Sequence, residues 1–257
     1  PINLRVMSTK KAFIIADEPH LLFLSGDRSQ SFEKLCGLGI IERQIYCLQR
    51  KGVEEITIIT GFQSEIAKQN IENLNHLNCK LNFAYNEDWK SGTIDKVLKA
   101  GITDSDQDFF IIEADLVFAP GIVDILSSTE IGKTSSIIKP NPDSPAKRTP
   151  FFIRGNNDFA KYILGSAGYS LDQYVSEIDR EQLLEWREAG KAYYFSFSEG
   201  RHGKGKLEKL LLNSLRKDID GIASRYVNRN VSLFITRRLL GFNVTPNHMS
   251  FITVSVG

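Results

Sequence analysis

The apolar run DFFIIEADLVF ends on carboxylates, with Glu113 and Asp115 two residues apart. Open α/β sheets place their ligands beyond the C-terminal ends of strands, so an acid there can hold a divalent metal against a phosphate. The same acid can also do no more than cap the turn that follows. A second acidic stretch follows the opening run KAFIIA, where Asp17, Glu18, Pro19 and His20 come next and no glycine appears before Gly26. A turn that receives phosphate needs backbone amides and a nearby cation. Here two negative charges occupy that place, Pro19 removes an amide donor, and Arg28 is the first Lys or Arg after the strand. Like charges repel an anion strongly where water is excluded.

Arginines form the third group. From Arg201 onward there are ten Lys and Arg against three Asp and Glu, although the whole chain carries only +1. An acidic body with a basic C-terminal end suggests an anionic partner, either a membrane surface or nucleic acid. Arg225, Arg229, Arg237 and Arg238 interleave with Val231, Leu233, Phe234, Ile235, Leu239 and Leu240, the pattern of a basic amphipathic helix. Few aromatics accompany them, which favours a lipid surface over nucleic acid, and the guanidinium fork suits a phosphate or head group. A solvated helix face is the alternative. Thr245-Pro246-Asn247 then caps a new apolar run, and nine residues follow His248. A membrane span needs about 20 residues. The expectation is a helix that continues into a membrane domain, with these residues on the cytoplasmic side; a surface helix is the other reading.

Other chemistry finds little support. His20, His76, His202 and His248 lack metal-ligand spacing. Cys36, Cys47 and Cys79 are an odd number with no metal-like pattern and read as free thiols. Asn230-Val-Ser and Asn243-Val-Thr match a glycosylation pattern inside the basic stretch and read as chance. Residues 1–9 have no apolar core of a signal peptide. At 42% apolar and 25% charged residues, the chain is globular in composition.

The elements that must position these groups alternate. Residues 11–16 read as a buried strand and Ile40 to Lys51 as an amphipathic helix, with Ile41, Ile45 and Leu48 at helical spacing and Gly52 as its C-cap. EEITIITGF is a strand, Gln63 to Leu77 a helix, LNFAYN a strand, Thr93 to Ala100 a helix, and DFFIIEADLVF a fourth strand. This rhythm predicts an α/β fold with a doubly wound, mostly parallel sheet. KPNPDSPAKRTP reads as a long loop, TPFFIRG and AYYFSFS as strands, Leu171 to Ala189 as largely helical, and Lys206 to Leu215 as a helix.

GLGIIERQIYCLQRKGVEEITIITGF (Gly37 to Phe62), NEDWKSGTIDKVLKA and IIEAD together resemble the sugar-phosphate nucleotidyltransferases, in particular the CTP:inositol-1-phosphate cytidylyltransferase group. KLLLNSLRKDIDGIASRYVNRNVSLFITRRLL followed by VTPNHMSF resembles the junction into a CDP-alcohol phosphatidyltransferase membrane domain. In tandem the two resemble fused cytidylyltransferase and di-myo-inositol-phosphate-phosphate synthase proteins. The resemblance implies a nucleotidyltransferase-like cytosolic domain over 1–205, and a linker, basic helix and membrane-domain onset over 206–257. It implies a small-molecule CDP-alcohol or CTP as nucleotide substrate, Mg²⁺ as cofactor, a membrane surface and a second copy of the chain as partners, and no nucleic acid. In that family, transfer from the CDP-alcohol releases CMP at an aspartate run in the membrane domain, and no such run precedes Gly257. Asp115 matches the family's metal-holding aspartate. The second metal carboxylate would fall in YYFSFSEGRHG, where Glu199 is the acid, and Asn86 and Trp89 could line a base pocket or simply pack. With Asp17, Glu18 and Pro19 in place of a glycine-rich loop, the implied domain is a degenerate one; an active cytidylyltransferase is the alternative.

Overall fold

The computed structural model describes residues 9–16, 34–61, 68–69, 71–72, 74, 77–87, 108–128, 135–138, 151–156, 158–161, 183–184, 194–196 and 204–214. In chain order the elements are β1 (Lys11–Ala16), β2 (Lys34–Leu35), β3 (Leu38–Gly39), α1 (Ile40–Arg50), β4 (Glu55–Thr60), β5 (Lys80–Tyr85) and β6 (Phe109–Glu113). Then come β7 (Leu116–Phe118), α2 (Pro120–Ser128), β8 (Ser135–Ile138), β9 (Phe152–Gly155), β10 (Leu183–Leu184), β11 (Tyr194–Ser196) and α3 (Lys204–Ser214). Contacts group them into two compact units. One holds the described residues up to Ala16 and those from Gly39 to β11; the other holds Lys34–Leu38 and α3.

The first unit is built on a seven-stranded sheet of order β10-β8-β9-β6-β1-β4-β5. β1 runs parallel to both β4 and β6, and β4 runs parallel to β5. β9 is antiparallel to β6 and to β8, so the sheet is mixed but mostly parallel. Continuous β-branched and aromatic runs suit central strands buried on both faces. Ala12 to Ile15, Ile56 to Thr60 and Phe109 to Glu113 are all buried accordingly. β5 lies at the edge of the sheet and is only half-buried.

Alternation along β6 sends successive phenylalanines to opposite faces. Phe109 meets Phe13 edge-on and stacks on Phe159, each with ring centroids 6.0 Å apart. Phe110 meets Phe152 at 5.3 Å, and Phe118 reaches Phe152 at 4.9 Å. Gly155 lies under the Phe109–Phe159 pair, where a Cβ would come within 2.4 Å of the Phe159 ring. No side chain fits there without displacing an aromatic ring.

α1 packs one face into the core shared by Ile14, Ile58, Phe110, Ile112 and Phe152. Its buried stripe contains Ile40, Ile41, Ile45 and Leu48, and one polar residue, Gln44. The helix begins with Glu42 Oε2 accepting the Gly39 N–H at 3.1 Å. It ends in a Schellman motif. Gly52, in the left-handed region at φ 88°, donates to the Gln49 carbonyl, and Val53 donates to the Leu48 carbonyl. Cys47 lies on the buried side, its thiol donating to the Phe118 carbonyl at 3.6 Å, and burial pushes it up to about 11. It therefore stays a neutral packing group.

Two readings change. The predicted strand DFFIIEADLVF is two strands broken at Ala114–Asp115, and β7 leaves the main sheet to pair antiparallel with β11. Leu183–Leu184, expected in a helix, is a strand paired with β8. An isolated apolar pair suits either structure, and only a partner strand decides between them. β8 itself, SSII, carries no strong sequence signal. Of the helix expected over 63–77, residues 68–69 and 71–72 are helical, and the helix expected over 93–100 lies outside the described residues.

Arg154 ties the N-terminal end of β6 to α2. Its Nε and Nη2 donate to Asp108 Oδ2 at 3.1 and 2.6 Å, while Nη1 donates to the Leu126 and Ser127 carbonyls at 2.8 and 2.9 Å. The guanidinium thereby neutralises a carboxylate and satisfies two carbonyls of the last turn of α2, where a positive charge is favoured. The Arg154 side chain is only 6% exposed, so removing it strands a charge with little solvent to take over. Arg154→Met is expected to cost about 3–5 kcal/mol, read as a lowered midpoint in urea denaturation.

Candidate functional site

The chain leaves β1 in two directions. From β1 the sheet grows through β4 to β5, and then β6 is added on the other side of β1. Where strand order reverses in this way, neighbouring connections diverge and leave a crevice beyond the C-terminal ends of the two strands. In this protein the switch point falls between the ends of β1 and β6. Ile15 is in register with Glu113, and the Ala114 N–H extends the ladder by donating to the Ile15 carbonyl at 2.8 Å. Ala16 lies beside Thr60, and the Asn86 N–H donates to the Thr60 carbonyl at 2.8 Å. Four parallel strands therefore end together at Ala16, Thr60, Tyr85 and Glu113.

Both acids singled out from sequence lie at this edge. Glu113 is the last residue of β6, and Asp115 is not on the strand but in the turn after it. Both are nearly buried, at 6% and 3% exposure. A buried carboxylate is tolerated when it is paired, hydrogen-bonded or bound to a metal. Tyr85, at the end of edge strand β5, is by contrast 54% exposed, and the neighbouring Asn86 is buried.

Gln44 holds the turn in place, and sequence reasoning missed it. Its Nε2 donates to the carbonyls of Glu113 and Leu116, both at 2.8 Å, bracketing the Ala114–Asp115 turn. These two carbonyls flank the point where the chain leaves the main sheet, so neither would otherwise be guaranteed a ladder partner. The signal was present in IIERQIYCL: Gln44 falls four residues after Ile40 and three after Ile41, on the apolar stripe. A polar residue on a buried helical stripe needs a partner, and here the partner is the site's own backbone.

Glu113 and Asp115 are hard oxygen donors, a type that suits Mg²⁺. That ion takes one or two protein carboxylates and completes its shell with water and phosphate oxygens. Among the described residues no cluster of three or more His, Cys, Asp or Glu side chains could hold a metal. Asp17, Glu18, Trp89, Glu199, Arg225, Arg229, Arg237, Arg238 and the four histidines lie outside the described residues. No helix among the described residues is long and apolar enough to cross a membrane.

Gln44→Leu keeps the volume but deprives two buried carbonyls of their donor, and is expected to cost about 1–3 kcal/mol. Gln44→Glu should cost more than Gln44→Leu, because it sets an acceptor against two carbonyls. Urea denaturation checks both, and equal stability of all three proteins would show that the turn does not depend on this residue.

No family model matches the chain, and no curated protein matches it. Solved structures do. The inositol-1-phosphate CTP transferase from T. maritima superposes with a TM-score of 0.60 at 11% identity, over 83% of this chain and 99% of that one. HddC from Yersinia pseudotuberculosis, solved alone and complexed with GMP-PN, superposes at 0.55 with 15% identity, over 77% of this chain and 99% of its own. At such identities the likeness is one of architecture. The protein has a nucleotidyltransferase-like fold, a mixed α/β sheet that is mostly parallel, with Glu113 and Asp115 at its switch point.

Proposed function

We propose that this chain is the extramembrane, catalytically degenerate nucleotidyltransferase-like domain of a membrane CDP-alcohol phosphotransferase. The parent activity transfers a phosphoalcohol group from a CDP-alcohol to an acceptor hydroxyl, releases CMP, and serves phospholipid or polar-head-group synthesis. The observation that carries the degenerate reading is the switch point itself. β1 ends at Ala16 with Ile15 beside buried Glu113, and the sequence continues from there as Asp17-Glu18-Pro19. A triphosphate brought to that edge would face acids where amides and a cation are required. The role left to the domain is support of a homodimer, docking to the membrane domain, or hand-off of the CDP-alcohol. The domain would stand on the cytoplasmic side of the cell membrane, with Arg225, Arg229, Arg237 and Arg238 against phosphate or lipid head groups.

One observation favours a second reading, an active CTP-dependent cytidylyltransferase that makes the CDP-alcohol from a phosphorylated polyol. Asp115 is buried at the switch point, in a turn held by two hydrogen bonds from Gln44. In that reading a phosphate oxygen of the polyol attacks the α-phosphorus of CTP, and the bond to pyrophosphate breaks. Asp115, with Glu113 beside it, would hold Mg²⁺, which when bound neutralises triphosphate charge. Gln44 would keep the turn from moving as charge accumulates.

The 257-residue chain incubated with CTP, Mg²⁺ and inositol 1-phosphate is expected to release no pyrophosphate above a protein-free control. Turnover that disappears in Asp115→Ala would overturn the degenerate reading and establish the second. The membrane reading has its own measurement, flotation with anionic vesicles. Each basic residue near such a surface contributes about 1 kcal/mol, so replacing the four arginines by Gln should weaken binding by roughly a hundredfold or more. Unchanged flotation would remove these arginines from the membrane-facing role.

A further inference from the structure

β5 closes one end of the seven-stranded sheet, and among the described residues no strand flanks its outer side. Its inner side is fully used. The Lys80 and Asn86 N–H groups donate to the Glu54 and Thr60 carbonyls, both at 2.8 Å. Between them the register with β4 is unbroken, from Lys80 beside Glu55 to Tyr85 beside Thr60. Alternation along a strand therefore gives the inward hydrogen bonds to Lys80, Asn82, Ala84 and Asn86. The amides and carbonyls of Leu81, Phe83 and Tyr85 point away from the sheet.

Proteins blunt such an edge with prolines, bulges or charges placed on the strand itself. β5 has none of these after Lys80: LNFAY carries no charge and no proline, and the ladder has no bulge. Its side chains are of the same character. Leu81 and Phe83 are only partly buried against the core, and Tyr85, two residues further along the same face, is the large apolar side chain left exposed among the described residues.

The strand also matches itself. A second β5, turned about a two-fold axis through Phe83, lies antiparallel to the first, with Phe83 facing Phe83 and Leu81 facing Tyr85. All three outward residues then fall on hydrogen-bonded pairs, in which opposite residues exchange both N–H···O bonds. Opposite side chains share a face, so each exposed tyrosine ring meets a leucine of the other copy. Charge selects the same direction. Exposed Lys80 begins the segment and exposed Glu87 lies just past its end. Antiparallel pairing brings unlike charges together at both ends, whereas parallel pairing would set like against like.

We propose that β5 is the surface through which two copies of this chain associate, edge to edge, joining two seven-stranded sheets into one. It gives the homodimer proposed above its interface, and it holds whether or not the chain faces a membrane. A six-residue seam is short beside the roughly 20–30 residues a side of a standard stable interface, so the dimer is weak and concentration-dependent.

Cross-linking tests the register. Asn82 of one copy faces Ala84 of the other in a non-hydrogen-bonded pair, whose Cα atoms lie about 4.5 Å apart and within disulfide reach. Asn82→Cys and Ala84→Cys proteins, mixed and oxidised at about 100 μM, should give at least about tenfold more covalent dimer than either variant oxidised alone. The wild-type chain, with free Cys36, Cys47 and Cys79, sets the background. No excess in the mixture overturns the pairing. Sedimentation of the wild-type chain is independent of any variant's folding. Its mass should rise from monomer toward dimer between about 5 and about 500 μM, and a monomer throughout overturns the proposal. Tyr85→Pro removes an outward donor from each copy and no inward bond, a change that an edge strand tolerates. It should weaken association by at least about tenfold at a near-unchanged urea midpoint. Dimerisation of Tyr85→Pro as strong as wild type would put the interface elsewhere. None of these measurements uses a membrane, so failure of the membrane reading leaves them decisive.

Discussion

β1 is hydrogen-bonded in parallel on both sides, to β4 and to β6, and everything at the acidic edge depends on that double pairing. A strand with parallel neighbours on each side must be apolar on both faces, and residues 12 to 15 of β1 are buried accordingly. Parallel pairing also forces the chain to cross over and return to the same end of the sheet, so the ends of β1, β4, β5 and β6 converge. The reversal of direction between β4 and β6 puts the switch point where Ile15 and Glu113 are neighbours. Moving β6 to the far side of β5 would keep every strand and abolish the site.

Two buried side chains stabilise this arrangement from opposite ends of the sheet, and they do different work. Arg154 fastens the N-terminal end of β6 to the last turn of α2, neutralising Asp108 and satisfying two carbonyls. It lies far along the strand from the acids and is a matter of stability. Gln44 fastens the C-terminal end, where β6 breaks off into the Asp115 turn. The cost is visible in its other atom: the buried Gln44 Oε1 has no hydrogen-bond partner among the described residues. A leucine would pack the same stripe without that cost. The two bonds to the turn are what an amide adds in exchange.

Much of the fold was legible because burial on both faces leaves an unbroken β-branched run, and half-burial of a helix leaves a 3.6-residue stripe. KAFIIA, EITIIT and IIERQIYCLQR carry those signals in full, and Gly52 announces the helix end by being able to adopt φ 88°. The antiparallel insertion of β9, the pairing of Leu183–Leu184 with β8 and the departure of β7 toward β11 carry no local signal. A residue paired antiparallel differs from one paired in parallel only in its partner. Of the site, Asp115 and Glu113 were legible as acids closing an apolar run. Gln44 was hidden because its two acceptors are backbone carbonyls some 70 positions away.

The sequence by itself determined the alternation of strands and helices, the acids after β1 and β6, and the concentration of basic residues after Arg201. These follow from side-chain chemistry and spacing, which are local. Only the tertiary structure decided that Glu113 lies beside Ile15, that Asp115 sits in a turn rather than on a strand, and that Cys36 meets Glu208 across 172 positions of chain. Those facts are settled by hydrogen-bond pairing and close packing between distant segments. The free energy of such contacts belongs to both partners at once and cannot be read from either alone.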